Sequence, residues 1–419
     1  MKESRTLEYK AEITNTFLKT VSAFANFSTG SIQFGISDDG TVTGIMHPEQ
    51  ACLDIENKIN DSINPKPNYT LAVNKRTNVI TLTVSEGPYK PYLYKGKAYR
   101  RSDTATVEVD QLELKRLTLE GSNLYFEELP CKDKNLSFSV LESKLIERLG
   151  IEKITNDMLY TFGFYTKDKE PNIAAALFSD KNSFCGIDAV RFGNTINDIL
   201  DRETFSHMSI LQQYDNVVSM FRRYYQYETI KGLDRIRVEL IPESAFREAI
   251  ANALVHRTWD INSHIKVEMF PDKIEITSPG GLPRGLSKEE YLHGNISNLR
   301  NPIIGNLFFR LQYIEMFGTG IRRIQEAYEG HTLKPIFTIY DNSVRVSLPL
   351  LSETYAVTSE GEEILLQLEG GALLSTAELA EKLGWSKAKT LRVLNMLKEQ
   401  HYITTVGNGR GTKYRKDTL

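Results

Sequence analysis

Glu248 and Asn252 stand four residues apart within Phe246-Arg-Glu-Ala-Ile-Ala-Asn-Ala-Leu-Val-His-Arg257. A helix places residues at that spacing on one face. Ala249, Ile250, Ala253 and Leu254 supply its buried stripe. A carboxamide oxygen can hold a divalent cation, and a carboxylate beside it can orient or deprotonate a water. The pair suits a magnesium–nucleotide site, with Glu248 as the base and Asn252 as the ligand. Glu and Asn are also ordinary residues of a helix surface, so an amphipathic helix with polar positions there is the plain alternative. Further on, Gly318, Thr319 and Gly320 precede a helical run through Arg322, Arg323 and Ile324. Glycines before a helix let backbone N–H groups approach phosphates with no Cβ in the way.

The elements between these residues must position them. Ile265–Met269 and 274–276 alternate as half-buried strands joined by the turn Phe270-Pro-Asp-Lys273. The loop Ser278-Pro-Gly-Gly-Leu-Pro283 follows, with Gly280 and Gly281 at its centre. The Glu-x-x-x-Asn spacing resembles the N-box of the GHKL ATPases. Residues 236 to 345 resemble the C-terminal module of proteins described as RecG-like or divergent AAA-type ATPases. The matching segments are 241–250, 252–257, 278–283, Arg300-Asn-Pro302 and Glu315-Met-Phe-Gly-Thr-Gly320. The resemblance implies an ATP and magnesium site with Asn252 on the metal and Gly318, Thr319 and Gly320 near the phosphates. A GHKL protein reads adenine with an Asp where this chain has Ser278, which accepts a hydrogen bond but brings no charge. Binding is therefore implied more firmly than hydrolysis. The chain has no Gly-x-x-x-x-Gly-Lys-Ser/Thr loop, so nothing in it resembles a helicase motor.

The first third has its own pattern. Thr14 to Ser28 reads as a helix, Ser31 to Ile36 as a strand, and Thr41 to Ile45 as a second strand after the turn Asp38-Asp-Gly40. Glu3-Ser-Arg-Thr-Leu-Glu-Tyr-Lys10, Ala23-Phe-Ala-Asn26 and Phe34-Gly-Ile-Ser-Asp-Asp-Gly40 resemble the Schlafen-type Alba-like domain over residues 1 to 118. Bacterial proteins of that kind are read as DNA-binding regulators. Animal Schlafens cut RNA with two glutamates and an aspartate that hold a divalent metal. Glu3, Glu8 and Asp38 match that set, and hard oxygen ligands suit magnesium or manganese. The simpler account makes Glu3 a terminal residue, Glu8 a strand partner for Lys10 and Asp38 a turn residue.

Residues 88 to 102 hold four tyrosines, five basic side chains and no acid. Lys95, Lys97, Arg100 and Arg101 could neutralise phosphates while the tyrosines stack on bases, DNA or RNA alike. A hairpin around Lys95-Gly-Lys97 accounts for the same residues. In the middle region, 119 to 235, Leu136–Leu149, Thr155–Phe162 and His207–Tyr227 read as helices. Asn172–Phe178 and Ile187–Phe192 read as strands. The tail, 360 to 419, reads as helix, capping box Ser375-Thr-Ala-Glu378, helix, the turn at Gly384-Trp-Ser386, a helix Lys387 to Gln400, and a glycine-tipped hairpin. That order is a winged helix. Residues 386 to 416 carry eight Lys or Arg and one acid, Glu399. Lys387, Lys389 and Arg392 would face the DNA groove while Leu391, Leu394 and Leu397 pack inward. Arg410, Lys413 and Arg415 would touch the backbone from the wing. Winged helices also dock proteins, which stays open.

The 419-residue chain has net charge −3, 41% hydrophobic and 25% charged residues, ordinary for a globular protein. Any nucleic-acid surface must therefore be a local patch. Cys52, Cys131 and Cys185 are odd in number and far apart, as expected of reduced thiols. No apolar leader or spanning run appears, so a cytoplasmic location is expected. The expected fold class is a multidomain α/β (α+β) chain: Schlafen/Alba-like residues 1–118, a bridging segment 119–235, a GHKL-like α/β sandwich 236–350 and a winged helix 360–419. The expected function is a DNA-binding transcriptional regulator with an ATP module. A weak ATPase or a metal-dependent nuclease is the enzymatic alternative. A homodimer is expected because winged-helix sites are often paired, with Phe308 to Ile314 as its face or as a buried core helix.

Overall fold

The computed structural model describes residues 3–231, 234–283, 286–293, 298–315, 318–351, 359–399, 402–407 and 412–416. Arg410, the glycine-rich tip around it, Gln400 and most of the linker before Ser359 lie outside the described residues. The chain forms two compact units. The first holds residues 1–182 with the short returns 258–260 and 299–307, and the second holds the remainder.

In the first unit, the strands Leu7–Lys10, Gly30–Phe34, Val79–Val84 and Tyr69–Asn74 form a sheet in that spatial order. Only the first pair is parallel. Helix Phe17–Phe27 packs on this sheet and is buried nearly all round, as its run of Phe, Leu, Val and Ala requires. Phe17 meets Phe34 edge to face at 5.3 Å. Asn26 is fully buried, and its amide replaces a strand partner. Its Nδ2 donates to the Tyr92 carbonyl at 2.8 Å, and its Oδ1 accepts from the Tyr92 N–H at 2.8 Å. This pairing explains why a polar residue ends the apolar Ala23-Phe-Ala stretch.

Two expected strands are corrected. Thr41–Ile45 makes a single bridge, Ile36 to Val42, and no strand. Asn172–Phe178 is not extended. Ile173–Phe178 is a helix with Asn172 as its N-cap, accepting from the Ala175 N–H at 3.0 Å. Three consecutive alanines and a good cap favour helix over the β pattern of the flanking apolar residues.

In the second unit, a six-stranded sheet runs in the order Ile199–Phe205, Ile187–Phe192, Ile265–Met269, Lys273–Pro279, Ser343–Pro349 and Ile336–Tyr340. The second and third strands are parallel and every other pair is antiparallel. Ile187, Ala189, Ile265, Val267, Met269, Ile274, Ile276, Val346 and Leu348 share its buried face. Helices Ile210–Tyr225 and Glu243–His256 pack against this sheet. Leu211, Tyr214, Val218 and Phe221 form the inner stripe of the former, and Phe221 stacks on Phe246 of the latter at 4.2 Å. Each such fully buried side chain stabilises by about 1.5–3 kcal/mol. Phe308, Leu311, Tyr313 and Ile314 are buried as well, so that segment belongs to the core and offers no broad apolar face to a second copy.

The tail contributes helices Ser359–Gln367, Thr376–Leu383 and Lys387–Glu399 and a three-stranded sheet. The strands Leu374–Ser375, Lys413–Lys416 and Ile403–Val406 are antiparallel, with Lys413–Lys416 in the centre. Ser375 and Glu378 form the expected reciprocal cap, and Gly384 ends that helix at φ 65°. Ser386 Oγ accepts from the Lys389 N–H at 3.2 Å and starts the next helix. Among the described residues no helix is long and apolar enough to cross a membrane.

Candidate nucleotide site and nucleic-acid face

Pro242 precedes the helix that carries Glu248 and Asn252, and Ala249, Ile250, Ala253 and Leu254 anchor it inward as the spacing requires. Asn252 Nδ2 donates to Glu248 Oε1 at 3.3 Å, so the two polar groups form one unit on the helix face. Burial pushes the Glu248 carboxyl above its usual range, opposed by the Arg323 charge and the Asn252 hydrogen bond. A carboxylate whose proton affinity is raised in this way is a stronger base than a free one.

Gly320 sits directly on this pair. A Cβ there would lie 2.6 Å from Glu248 Oε1 and 2.6 Å from Asn252 Nδ2. A side chain there would have to displace the ends of both polar groups, so glycine keeps the backbone close to the carboxylate and the carboxamide. Gly318 has φ 68°, the left-handed turn that delivers the chain to Gly320 through Thr319. Helix Gly320–Glu326 then presents Arg323, paired with Glu315 at 3.3 Å. Both residues stand in the motifs named above without a role of their own. Arg323 follows Gly320 by one helical turn, and that spacing was the available signal.

Ser278 lies next to the end of the strand Lys273–Pro279, beneath the same helix. It is 8% exposed, and its Oγ donates to the Ala253 carbonyl at 3.0 Å. Its lone pairs stay available to an amine, and its proton is engaged. Gly280 N–H donates to the Asn342 carbonyl, and a Cβ at Gly281 would meet the Asp341 carbonyl at 2.2 Å. These two glycines serve the close approach of the 340–342 turn. A compact acceptor pair and a cradle that a Cβ would fill are suited to a nucleotide with its cation, with Asn252 as the oxygen ligand and Glu248 beside it.

Glu3, Glu8 and Asp38 do not gather. Glu3 Oε1 accepts from the Tyr9 N–H at 2.8 Å, and Asp38 is exposed in its turn. Glu8 is 6% exposed and is paired with Lys10 at 2.7 Å and Arg101 at 3.4 Å. Among the described residues no three acidic, His or Cys side chains form a metal cage.

The basic stretch 88–102 turns at Lys95 and Gly96, φ 50° and 76°, closed by a single Tyr94–Lys97 bridge; it is no hairpin, because Leu93–Tyr94 pairs with residues 63–64 and Tyr99–Ser102 with Ala105–Glu108. Its cations are mostly engaged. Lys90 is buried between Glu86, at 2.6 Å, and Glu120. Lys97 pairs with Glu108 at 2.7 Å and Arg100 with Glu113 at 3.6 Å. Arg101 is corrected from a surface phosphate contact to a buried structural cation, held by Glu8, Thr106 and the Ser4 carbonyl. Tyr92, Tyr94 and Tyr99 are core residues, so they are no stacking platform. Lys95 remains exposed, over the Tyr94 ring at 5.4 Å.

In the tail, Lys387, Arg392, Lys413 and Arg415 are exposed. Lys389 is corrected: it turns back onto the Trp385 ring at 4.1 Å and Glu360 at 2.9 Å. Arg392 reaches Glu360 at 3.4 Å with its side chain 74% exposed, and Lys413 lies 4.0 Å from Glu378. Leu391 is corrected too. It is 44% exposed, while Thr390, Val393, Leu394 and Leu397 face the core.

Comparison with known families gives two partial matches. Residues 3–110 match the family described as "Schlafen, AlbA_2". Residues 262–348 match the family described as "Putative ATP-dependent DNA helicase recG C-terminal". Both agree with the architecture the sequence resembles, and together they point to a nucleic-acid-related function with ATP binding. The second match starts after the Glu248 helix. A solved structure, the DIP2311 protein from Corynebacterium diphtheriae, is 18% identical, with 99% of this chain and 92% of that chain covered at a TM-score of 0.48. Among curated proteins none matches.

Proposed function

We propose that this chain is a DNA-binding transcriptional regulator whose Glu248/Asn252 module binds ATP with magnesium. The observation that carries the reading is the seat of Gly320 on Glu248 and Asn252, which brings a side-chain-free backbone close to a paired carboxylate and carboxamide. Asn252 would hold the cation, and Gly318 to Gly320 would lie beside the phosphates. The tail would act as a winged helix on duplex DNA, supported by its helix order and its exposed cations. Paired half-sites would be met by a homodimer, and light scattering at micromolar concentration tests that mass.

The nucleotide reading is tested by calorimetry with ATP and magnesium. Wild type should show saturable heat and a raised melting temperature, because a ligand that binds only the folded state stabilises it by mass action. Asn252→Ala should weaken both. Absence of heat and of any thermal shift at millimolar ATP rejects the nucleotide site.

A further inference from the structure

The Lys387–Glu399 helix has one buried and one open side. Thr390, Val393, Leu394 and Leu397 are in the core. Lys387, Ala388, Leu391, Arg392, Asn395 and Lys398 are exposed. At roughly 100° per residue, these six span an arc of about 140°. Their order around that arc is informative. Lys387 and Lys398 lie at one rim and Arg392 at the other, with Leu391 and Asn395 between them. Ala388, small, lies beside Asn395. An exposed leucine alone says nothing. A leucine and an amide centred between rims of cations have the layout of a groove reader. The rims meet the phosphate walls and the centre meets the base edges.

Asn395 strengthens this layout. Its amide makes no side-chain hydrogen bond among the described residues, so both its donor and its acceptor are available to a ligand. An asparagine amide matches the N6 donor and N7 acceptor of adenine in the major groove, and an aliphatic side chain fits the thymine methyl. Leu391 and Asn395 are separated by about 6 Å along the axis, close to two base steps of about 3.4 Å each.

We infer that this face reads an A·T-containing major groove, with Leu391 on a thymine methyl and Asn395 on an adenine about two steps away. The inference rests on the tail being the DNA-binding element. It goes further by naming the base chemistry and the two side chains that discriminate. Lys387, Lys398 and Arg392 hold the backbone and carry no sequence information.

The test uses the full chain and a pool of duplexes with a randomised centre. Wild type should enrich sites with A·T pairs at two positions. Asn395→Ala should lose about tenfold of the preference at one position and Leu391→Ala at the other, while Lys387→Ala weakens all sequences alike. Both reading residues point outward, so melting temperatures should stay unchanged. On the selected site, replacing thymine by uracil removes only the methyl. This should weaken wild type and leave Leu391→Ala indifferent. Replacing adenine by 7-deazaadenine should do the same for wild type and Asn395→Ala. Retention of the wild-type preference by both variants, or equal base-analogue effects in wild type and variant, overturns the inference. A wild-type chain that binds no duplex instead rejects the DNA reading of the tail, and the wild-type arm reports that separately.

Discussion

Residues 88–102 and the tail from 386 to 416 are both rich in cations, and the fold leaves a larger share of them unpaired in the tail. In residues 88–102, four of five basic side chains meet carboxylates: Lys90 with Glu86 and Glu120, Lys97 with Glu108, Arg100 with Glu113, Arg101 with Glu8. In the tail, Lys389 and Arg392 share Glu360, Lys416 meets Glu369 and Lys413 lies 4.0 Å from Glu378, while Lys387, Lys398 and Arg415 make no ion pair among the described residues. The number of basic residues therefore says little about a nucleic-acid face. What matters is where the acids of the rest of the chain are placed. A cation already engaged by a buried carboxylate would have to abandon it before it could release a counterion from DNA.

The contrast breaks most directly by deletion. Removing residues 360–419 should lower duplex affinity at least about a hundredfold, since non-specific contacts alone are far weaker than specific ones. Undiminished binding by the truncated chain would make the tail a protein-docking element and return residues 88–102 to consideration. The next largest effect is on stability. Arg101→Met removes one of the two cations on buried Glu8, with Lys10 left as its partner, and should destabilise the fold by about 2 kcal/mol in denaturant titration. Duplex affinity of the folded protein should be unchanged, and a parallel loss of affinity would contradict the structural role.

A smaller effect concerns pH. Glu127 is fully buried, and its oxygens accept from the Ile303 N–H at 2.6 Å and the Ile304 N–H at 3.0 Å. Burial, the larger influence, pushes its carboxyl up to about 8 from 4.5, against those two hydrogen bonds. Its folded value is therefore above its unfolded value, so the folded state binds the extra proton. The stabilisation is complete below about 4.5 and is lost as pH rises through about 8. Melting curves across that window should fall more steeply for wild type than for Glu127→Gln. Parallel curves would show that the carboxylate is ionised throughout. Smallest of all is the salt test. Lys387→Ala should flatten the slope of log affinity against log salt by about one unit, and Lys97→Ala should leave it alone.

Local chemistry was the legible part of this sequence. The Ser375–Glu378 cap, the Ser386 cap, the Gly384 stop and the 265–276 hairpin all depend on neighbours within a few residues, and all are present. The Glu248/Asn252 pair was legible for the same reason. Contacts distant in sequence were not. Arg101 meets Glu8 from 93 positions away and Lys90 meets Glu120 from 30, so nothing near either cation announces its partner. Leu391 was misplaced because a leucine at every third position reads as one stripe. The helix instead buries Thr390 and Val393 and rotates the stripe by about one residue. The run 172–178 was misread because apolar residues at short range fit strand or helix, and the cap at Asn172 decides.

The capping of Ile303 and Ile304 by Glu127 bears on where this chain can be cut. Residues 258–260 and 299–307 belong to the first compact unit, although the chain on either side of each belongs to the second. A fragment ending at residue 182 keeps the buried carboxylate and discards both N–H groups that satisfy it. The complementary fragment keeps those N–H groups and discards their acceptor. The chain thus leaves the first unit and returns to it twice, so a fragment cut at residue 182 divides that unit itself.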